Sequence, residues 1–172
     1  MESSAGDATS EASWYARVAA EFGESLGRMA AAYEFDRAQQ QDLLQEMHLA
    51  LWRSFPGFRN QCSLRTWVYR VTHNTASSYI RGQKRSRRSK LMSLEELEDL
   101  PGESDTERVL DETAVLEKLR AIIHRLKPID RDVMLLYLEG MDAATIGDVT
   151  GLASANVAQK IHRTKKVLQR YF

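Results

Sequence analysis

The sequence contains little cysteine, proline or glycine and no long apolar run. Its 172 residues include one cysteine, three prolines and nine glycines. A single cysteine excludes an internal disulfide framework and is typical of a reducing cytosol, so we expect a cytoplasmic protein. So few turn-forming residues argue against an all-β fold with many hairpins. The first ten residues have no basic segment and no long uncharged apolar run follows, so the sequence predicts neither a secretory signal nor a membrane span.

Acidic and basic residues are equal in number but segregated along the chain. There are 24 Lys and Arg residues and 24 Asp and Glu residues. Residues 51–90 have 10 basic side chains and no acidic one, residues 91–117 have 10 acidic and one basic, and residues 151–172 have five basic and none acidic. Two cationic segments separated by an anionic one indicate two surfaces that bind a polyanion such as nucleic acid. The alternative interpretation is ordinary solvated helix faces, which the 40 consecutive residues without an acid at 51–90 disfavour.

Apolar residues recur every three or four positions through the first half, which predicts amphipathic helices. After a disordered segment over 1–12, the spacing predicts helices over Trp14–Tyr33, Arg37–Ser54 and Leu64–Arg81. Phe58–Ser63 is predicted to be a loop, with Ser63 as the N-cap of the third helix. The predicted buried stripe of the second helix consists of Leu43, Leu44, Met47 and Leu51. That of the third helix consists of Leu64, Val68, Val71, Thr75 and Tyr79.

An acidic stretch separates the two halves of the chain. Residues 91–111 are rich in Glu and Asp and contain a Pro-Gly break, so we expect a linker with short helical pieces at most. No strand pattern occurs on either side of it. The sequence therefore predicts an all-α fold of two small helical domains, at 13–90 and 112–172, which the acidic linker joins. Each domain is small enough to be marginally stable alone, so we expect a partner that completes its burial.

The C-terminal residues have the pattern of a helix-turn-helix motif. Apolar spacing predicts, in order, helices over Glu112–Leu126, Arg131–Glu139 and Ala143–Val149 and a basic helix from Ser154. Asp130 is predicted to cap the second of these helices. Gly151 supplies the tight turn before the basic helix, because glycine adopts backbone conformations that other residues avoid.

One face of the basic helix is suited to DNA. Val157, Ile161, Thr164 and Leu168 fall on the side predicted to be buried. The opposite side consists of Ala155, Asn156, Gln159, Lys160, Arg163 and Lys166. Asn and Gln can make paired hydrogen bonds to adenine, while Lys and Arg can reach guanine or phosphate. The alternative is a plain three-helix packing unit with a solvated basic face.

The third helix of the first domain alternates aromatic and cationic residues. Arg65, Arg70 and Arg81 are interleaved with Trp67, Tyr69 and Tyr79. This combination suits single-stranded nucleic acid, because exposed bases stack on rings while cations neutralise phosphates. The preceding polar loop, FRNQCS, is of a kind that could hold an extruded base. Alternatively, the aromatic residues are partly core residues.

Three segments of the sequence, in this order, resemble the signature segments of extracytoplasmic-function sigma factors. They are DLLQEMHLALW, FRNQCSLRTWVYRVTHNTASSYIR and LKPIDRDVMLLYLEGMDAATIGDVTGLASANVAQKIHR. This family comprises the small bacterial initiation subunits that have only the second and fourth conserved regions. The resemblance covers about residues 14–90 and 112–170. It implies a factor that binds core RNA polymerase and promoter DNA, directs promoter-specific initiation and is commonly held by an anti-sigma factor.

The resemblance also implies three functional surfaces. The residues implied to dock on the clamp helices of the largest polymerase subunit are Asp42, Leu43, Gln45, Glu46 and Leu49. Recognition and melting of the minus-ten element falls to Phe58, Arg59, Asn60, Gln61, Ser63, Arg65, Trp67, Tyr69, Arg70, Asn74 and Arg81. Reading of the minus-thirty-five element falls to Ser154, Ala155, Asn156, Gln159, Lys160, Arg163 and Lys166. Further polymerase contacts are implied at the flap region, and the acidic linker is implied to run toward the RNA path.

Two positions depart from the family pattern. Ala158 lies where the family usually has a basic residue, and Asn156 lies where it commonly has Thr. The resemblance therefore implies the class of protein and not a particular promoter sequence.

The sequence contains no recognisable catalytic or metal-binding pattern. The four histidines are scattered and, with one cysteine, give no metal-ligand spacing. No nucleophile and base set or phosphate-binding glycine loop is present, so we expect no independent enzymatic activity, no cofactor and no small-molecule substrate.

Two alternatives remain at this point. The first is a stand-alone helix-turn-helix regulator that binds an operator without polymerase, and the second is a decoy that imitates a sigma factor to occupy its inhibitor.

Overall fold

The computed structural model describes the backbone of residues 4–83 and 112–170. Within these ranges the chain forms seven α-helices and one short 3-10 helix, with no β-strand, so the predicted all-α fold is confirmed. The chain divides into two compact units, Met1–Ile80 and Arg81–Phe172, which are called unit 1 and unit 2. None of the described helices is long and apolar enough to cross a membrane. The predicted linker at 91–111 lies outside the described residues.

Unit 1 contains three α-helices. They are α1 (Ser4–Tyr33), α2 (Arg37–Ser54) and α3 (Leu64–Gln83), with a 3-10 turn at Phe55–Gly57 after α2. The last three residues of α3 lie beyond the unit boundary at Ile80. The first helix begins at Ser4, whereas apolar spacing predicts a start at Trp14 after a disordered segment. The extra turns contain several alanines and a glutamate, which favour helix without needing a buried face.

Short polar side chains cap the starts of two of these helices. Asp36 is the N-cap of α2, because its carboxylate accepts a hydrogen bond from the backbone N–H of Gln39 at 3.0 Å. The predicted N-cap of α3 is confirmed, since the Thr66 N–H donates to Ser63 Oγ at 3.0 Å. Together these two caps fix where α2 and α3 begin.

The core of unit 1 consists of one stripe from each helix. The fully buried side chains include Val18 and Leu26 of α1, Leu43, Met47 and Leu51 of α2, and Val68 and Ala76 of α3. The predicted stripe of α2 is therefore confirmed apart from Leu44, which is only partly buried.

The buried face of α3 differs from the predicted one. Its buried residues are Thr66, Val68, Tyr69, Thr72, His73 and Ala76, so of the predicted stripe only Val68 is buried. Thr72 can lie inside because its hydroxyl donates to the Val68 carbonyl oxygen at 3.0 Å. A threonine whose polar atom is satisfied by its own helix is not distinguishable from a surface threonine by hydrophobic periodicity.

Unit 2 contains four α-helices. They are α4 (Glu112–Arg125), α5 (Pro128–Leu138), α6 (Ala143–Thr150) and α7 (Ser154–Leu168). The prediction that Asp130 caps α5 is wrong, because the N-cap is Lys127 and Asp130 lies inside the first turn. The physical reason is Pro128, whose fixed φ and missing N–H suit the first helical position.

Candidate nucleic-acid and protein interfaces

The second helix of unit 1 exposes acidic and polar residues on the face opposite its core contacts. This α2 stripe consists of Asp42, Gln45, Glu46 and Leu49, all of which are exposed. Their spacing of three and four residues places them on one face of the helix. Leu43, which was predicted to belong to the same surface, is fully buried and instead anchors α2 in the core. The acids thus lie on a face that makes no core contacts.

Trp52 extends the α2 stripe by one turn and was not among the residues predicted for this surface. The side chain lies three residues beyond Leu49 and is 42% exposed. Its ring packs edge-on against Tyr15 of α1, with 5.4 Å between ring centroids. Tyr15 also contacts His48 edge-on at 5.9 Å, and burial lowers the pKa of His48 so that its neutral form is favoured. The sequence signal for Trp52 was its helical spacing from Leu49.

The loop before α3 has a defined backbone. Asn60 adopts a left-handed conformation with φ of 57°, which asparagine tolerates better than most residues. The backbone N–H of Arg59 donates to Gln61 Oε1 at 3.1 Å. Arg59, Asn60, Gln61 and Ser63 are all exposed. The loop therefore presents several hydrogen-bonding groups beside the capped first turn of α3.

An aromatic cluster from three elements supports this loop. Trp14 of α1 stacks on Phe55, with 3.6 Å between ring centroids, and contacts Trp67 edge-on at 5.5 Å. The Phe58 ring also packs against Trp67, with 5.0 Å between their ring centroids. Trp67 and Phe58 are each partly buried, so they combine packing with some accessible ring surface. The roles of Trp14 and Phe55 were not predicted from the sequence, because their contact joins segments about forty residues apart.

The predicted DNA-binding residues of α3 do not all share one face. Helical spacing groups Trp67, Arg70, Asn74 and Arg81, of which Asn74 and Arg81 are exposed and the other two partly buried. Tyr69 lies elsewhere, because it is only 2% exposed and packs edge-on against Phe22 at 6.1 Å. The Arg65 guanidinium lies over the Tyr69 ring at 6.0 Å. The prediction that Tyr69 contacts DNA is therefore corrected to a core role, and Arg65 lies apart from the other cations.

Unit 2 contains a helix-turn-helix with a close contact at its turn. Asp142 is the N-cap of α6, and the hydrogen bond from the Thr145 N–H at 2.8 Å lowers the pKa of this carboxyl. Gly151 ends α6 with φ of 78° and donates its N–H to the Gly147 carbonyl oxygen at 2.8 Å. A Cβ at Gly147 would lie 2.7 Å from the Leu152 carbonyl oxygen, so the helix and the turn pack backbone to backbone there.

The helix after this turn has one buried and one exposed face. Val157, Ile161, Thr164 and Val167 are buried, so Val167 takes the place predicted for Leu168. Ser154, Ala155, Asn156, Gln159 and Lys166 are exposed, and Arg163 is partly buried. Ala158 and His162 are exposed beside them and were not among the predicted DNA contacts. The exposed face is therefore polar and basic, as DNA contact requires.

Lys160 does not extend into solvent with the other predicted DNA contacts of α7. Its Nζ donates to Asp130 Oδ1 of α5 at 2.5 Å, and its side chain is 29% exposed. Among the described residues no group of three His, Cys, Asp or Glu side chains could hold a metal ion. The candidate surfaces are therefore the α2 stripe, the loop with the outer face of α3, and the exposed face of α7.

Comparison with known proteins identifies the family. Residues 19–86 match sigma-70 region 2, and residues 116–168 match sigma-70 region 4. The chain is 28% identical over 151 residues to the ECF RNA polymerase sigma factor SigG of Mycobacterium tuberculosis, with 75% of this chain and 40% of that protein covered. It is 26% identical over 143 residues to the RNA polymerase sigma factor SigV of Bacillus subtilis, with 83% and 81% covered.

A solved structure shares the fold. The structure of CnrH in complex with the cytosolic domain of CnrY superposes with a TM-score of 0.63 at 21% identity, covering 90% of this chain and 84% of CnrH. Most of the region 2 match falls on unit 1, and the region 4 match lies within unit 2. The chain thus belongs to the sigma-70 family, in its group of extracytoplasmic-function sigma factors. It spans about two fifths of the length of the M. tuberculosis relative.

Proposed function

We propose that the protein binds core RNA polymerase and directs it to specific promoters. The observation that carries the proposal is the combination, within unit 1, of an exposed acidic stripe on α2 with an aromatic and cationic face on α3. A helix-turn-helix regulator that acts alone needs neither surface. Together with the helix-turn-helix of unit 2, they supply one protein-docking site and two nucleic-acid sites.

The α2 stripe is the proposed polymerase-docking surface. Exposed carboxylates of Asp42 and Glu46 attract a basic partner and orient its approach. Leu49 and Trp52 add exposed apolar area one turn and two turns beyond Glu46, and tryptophan is enriched among the anchor residues of protein interfaces. The proposed partner is the clamp-helix element of the largest polymerase subunit, with a further contact of unit 2 at the flap region.

The loop before α3 and the outer face of α3 are the proposed minus-ten site. Arg70 and Arg81 neutralise phosphates, and the polar side chains at Arg59, Asn60 and Gln61 hydrogen-bond an unpaired base. The aromatic cluster beneath the loop fixes its backbone before DNA arrives, which lowers the entropy cost of capturing the base. Trp67 belongs both to the cluster and to the exposed face, so it is the proposed stacking side chain.

The exposed face of α7 is the proposed minus-thirty-five site. Residues near the start of a reader helix normally contact base edges, and later cations contact the backbone. Asn156 and Gln159 are therefore the proposed base contacts, and Arg163 and Lys166 are proposed to contact phosphates. The affinity of this site is expected to fall steeply with salt, because each neutralised phosphate releases counterions.

An inhibitory protein that covers these surfaces before polymerase binds is also part of the proposal. Support comes from the similar fold of CnrH, whose structure was determined in complex with the cytosolic domain of another protein. A cytoplasmic location follows from the same proposal, since the polymerase and the promoter are there. The proposed function requires no small-molecule cofactor and no catalysis by this chain.

An electrophoretic mobility shift with and without core polymerase distinguishes the proposal from the stand-alone regulator. We expect no tight, specific binding of promoter fragments by the purified chain, and specific binding once core polymerase is added. Tight, specific binding by the chain alone would favour the stand-alone regulator. The decoy alternative predicts binding in neither case.

Trp67→Ala is expected to impair promoter opening more than recruitment. The substitution removes the ring on which a flipped base would stack, which is worth about 1–3 kcal/mol per base. We therefore expect about a tenfold or greater loss in the formation of permanganate-reactive open complexes, with a smaller loss in closed-complex binding. Phe22→Leu, which alters a core ring away from the loop, serves as the control for general destabilisation. Equal losses in both steps would mean that Trp67 is only a packing residue.

A further inference from the structure

We propose that Asp130 is a positioning residue for the reader helix α7, which it holds through an ion pair with Lys160. Lys160 is then a structural cation, and the DNA-contacting cations of α7 are Arg163 and Lys166. The inference rests on the proposed function, because it concerns how unit 2 presents α7 to the minus-thirty-five element. It reassigns one of the residues predicted from the sequence to bind DNA.

The ion pair joins two helices that are distant in sequence. Asp130 lies in the first turn of α5, and its side chain is 5% exposed. Lys160 lies near the middle of α7 and brings its Nζ to 2.5 Å from Asp130 Oδ1. A buried carboxylate without a partner is costly, so this ammonium group is held where the carboxylate is.

The position of Lys160 on α7 agrees with this role. It is three residues after Val157 and one before Ile161, and both of these neighbours are buried. Its backbone carbonyl oxygen accepts a hydrogen bond from the hydroxyl of Thr164, which is also buried, at 2.9 Å. Lys160 thus lies at the border of the buried face, whereas Lys166 lies on the exposed face.

The other end of the contact is fixed as well. Arg131, next to Asp130, donates from Nε to the Ile123 carbonyl oxygen at 3.3 Å and from its terminal nitrogen to those of His124 and Leu126. The guanidinium supplies hydrogen-bond donors to carbonyl oxygens at the C-terminal end of α4, which lack partners within the helix. The first turn of α5 is therefore tied to α4 through Arg131 and to α7 through Asp130, so it sets the position of the reader helix.

Salt-dependent DNA binding separates a positioning cation from a phosphate contact. Holoenzyme is assembled with the full chain, and its affinity for a minus-thirty-five-dependent promoter is measured from low to moderate salt. Removing one phosphate contact lowers the slope of log affinity against log salt by about 0.9. We expect Lys160→Met to lower affinity about tenfold with the slope unchanged, and Lys166→Met, the matched control, to lower both. An equal fall of the slope in Lys160→Met would overturn the proposal.

The Asp130→Asn variant gives a second test, because the two roles predict opposite signs. If Asp130 positions α7, its neutralisation lowers DNA affinity, as Lys160→Met does, and Lys160→Arg retains it. If Asp130 merely competes with phosphate for Lys160, its neutralisation raises affinity. A rise in affinity therefore contradicts the proposal directly.

Hydrogen exchange of the α7 amides in the full chain tests, without any DNA, whether the ion pair between Asp130 and Lys160 holds α7 in place. Lys160→Met and Asp130→Asn are each expected to speed exchange of α7 amides at least tenfold, and the double variant to change it by less than the product of the two. Independent effects that simply multiply would refute the ion-pair role. Should the unsubstituted holoenzyme bind no promoter, the proposed function fails, and this coupling still decides whether Asp130 holds α7.

Discussion

Reversing the two acids of the α2 stripe is expected to abolish promoter-directed transcription. Asp42→Arg with Glu46→Arg places two cations where the proposed partner is basic, and like-charge contacts at an interface cost several kcal/mol. Because each 1.4 kcal/mol changes affinity about tenfold, we expect at least about a hundredfold loss of polymerase binding. Both side chains are exposed on a face away from the core, so unfolding by heat is expected to be unchanged. The measurement is co-elution with core polymerase, followed by transcription.

A matched control tests whether charge alone explains the loss. Glu21→Arg with Glu24→Arg makes the same change of charge on an exposed face of α1 in the same unit. Glu24 forms only an exposed ion pair with Arg28 at 3.9 Å, which contributes little. The control is expected to keep polymerase binding within about twofold, since exposed charges away from an interface are weakly coupled to it. Unchanged transcription in the Asp42 and Glu46 variant would refute the docking assignment.

Gly147→Ala is expected to disable unit 2 while leaving unit 1 intact. The added methyl carbon would lie 2.7 Å from the Leu152 carbonyl oxygen, so the turn or α6 must move. Crowding of this kind costs about 1–3 kcal/mol, which is a large fraction of the stability of a small helical unit. Because the turn sets where α7 begins, we expect faster hydrogen exchange in α6 and α7 and at least a tenfold loss of minus-thirty-five-dependent promoter binding.

The same substitution in α1 provides the control. A Cβ at Gly27 meets no atom within 4 Å, and alanine favours a helix interior by about 0.5–1 kcal/mol relative to glycine. Gly27→Ala is therefore expected to preserve or slightly raise stability and to preserve promoter binding. If Gly147→Ala also leaves α7 exchange and binding unchanged, the backbone contact at the turn does not position the reader helix.

Elements with a strong apolar period could be predicted from the sequence, and those with satisfied polar groups could not. The second helix was predicted with both its bounds and its buried residues Leu43, Met47 and Leu51, because these three apolar residues recur at four-residue steps. The third helix has threonine and histidine on its buried face, so periodicity placed Val71 and Thr75 inside and left Tyr69 among the surface residues. Tyr69 was therefore wrongly predicted to contact DNA, because α3 buries a different face from the predicted one.

Long-range pairing explains the other differences. The Lys160 charge is matched by Asp130, 30 residues earlier, and the Trp14 ring is matched by Phe55 on another element. Neither pairing leaves a local signal, so sequence spacing assigned the lysine to DNA and the tryptophan to a helix start. The helix-turn-helix was predictable because its decisive feature, the turn at Gly151, is local.

Transcription by reconstituted holoenzyme shows whether the chain directs core polymerase to promoters. Core polymerase is incubated with the purified chain and a library of genomic fragments, and run-off transcripts are sequenced. We expect transcripts from a defined set of start sites that appear only when the chain is added and share two spaced upstream elements. If the chain fails to bind core polymerase and the transcripts are the same with and without it, the protein is not a promoter-specificity subunit.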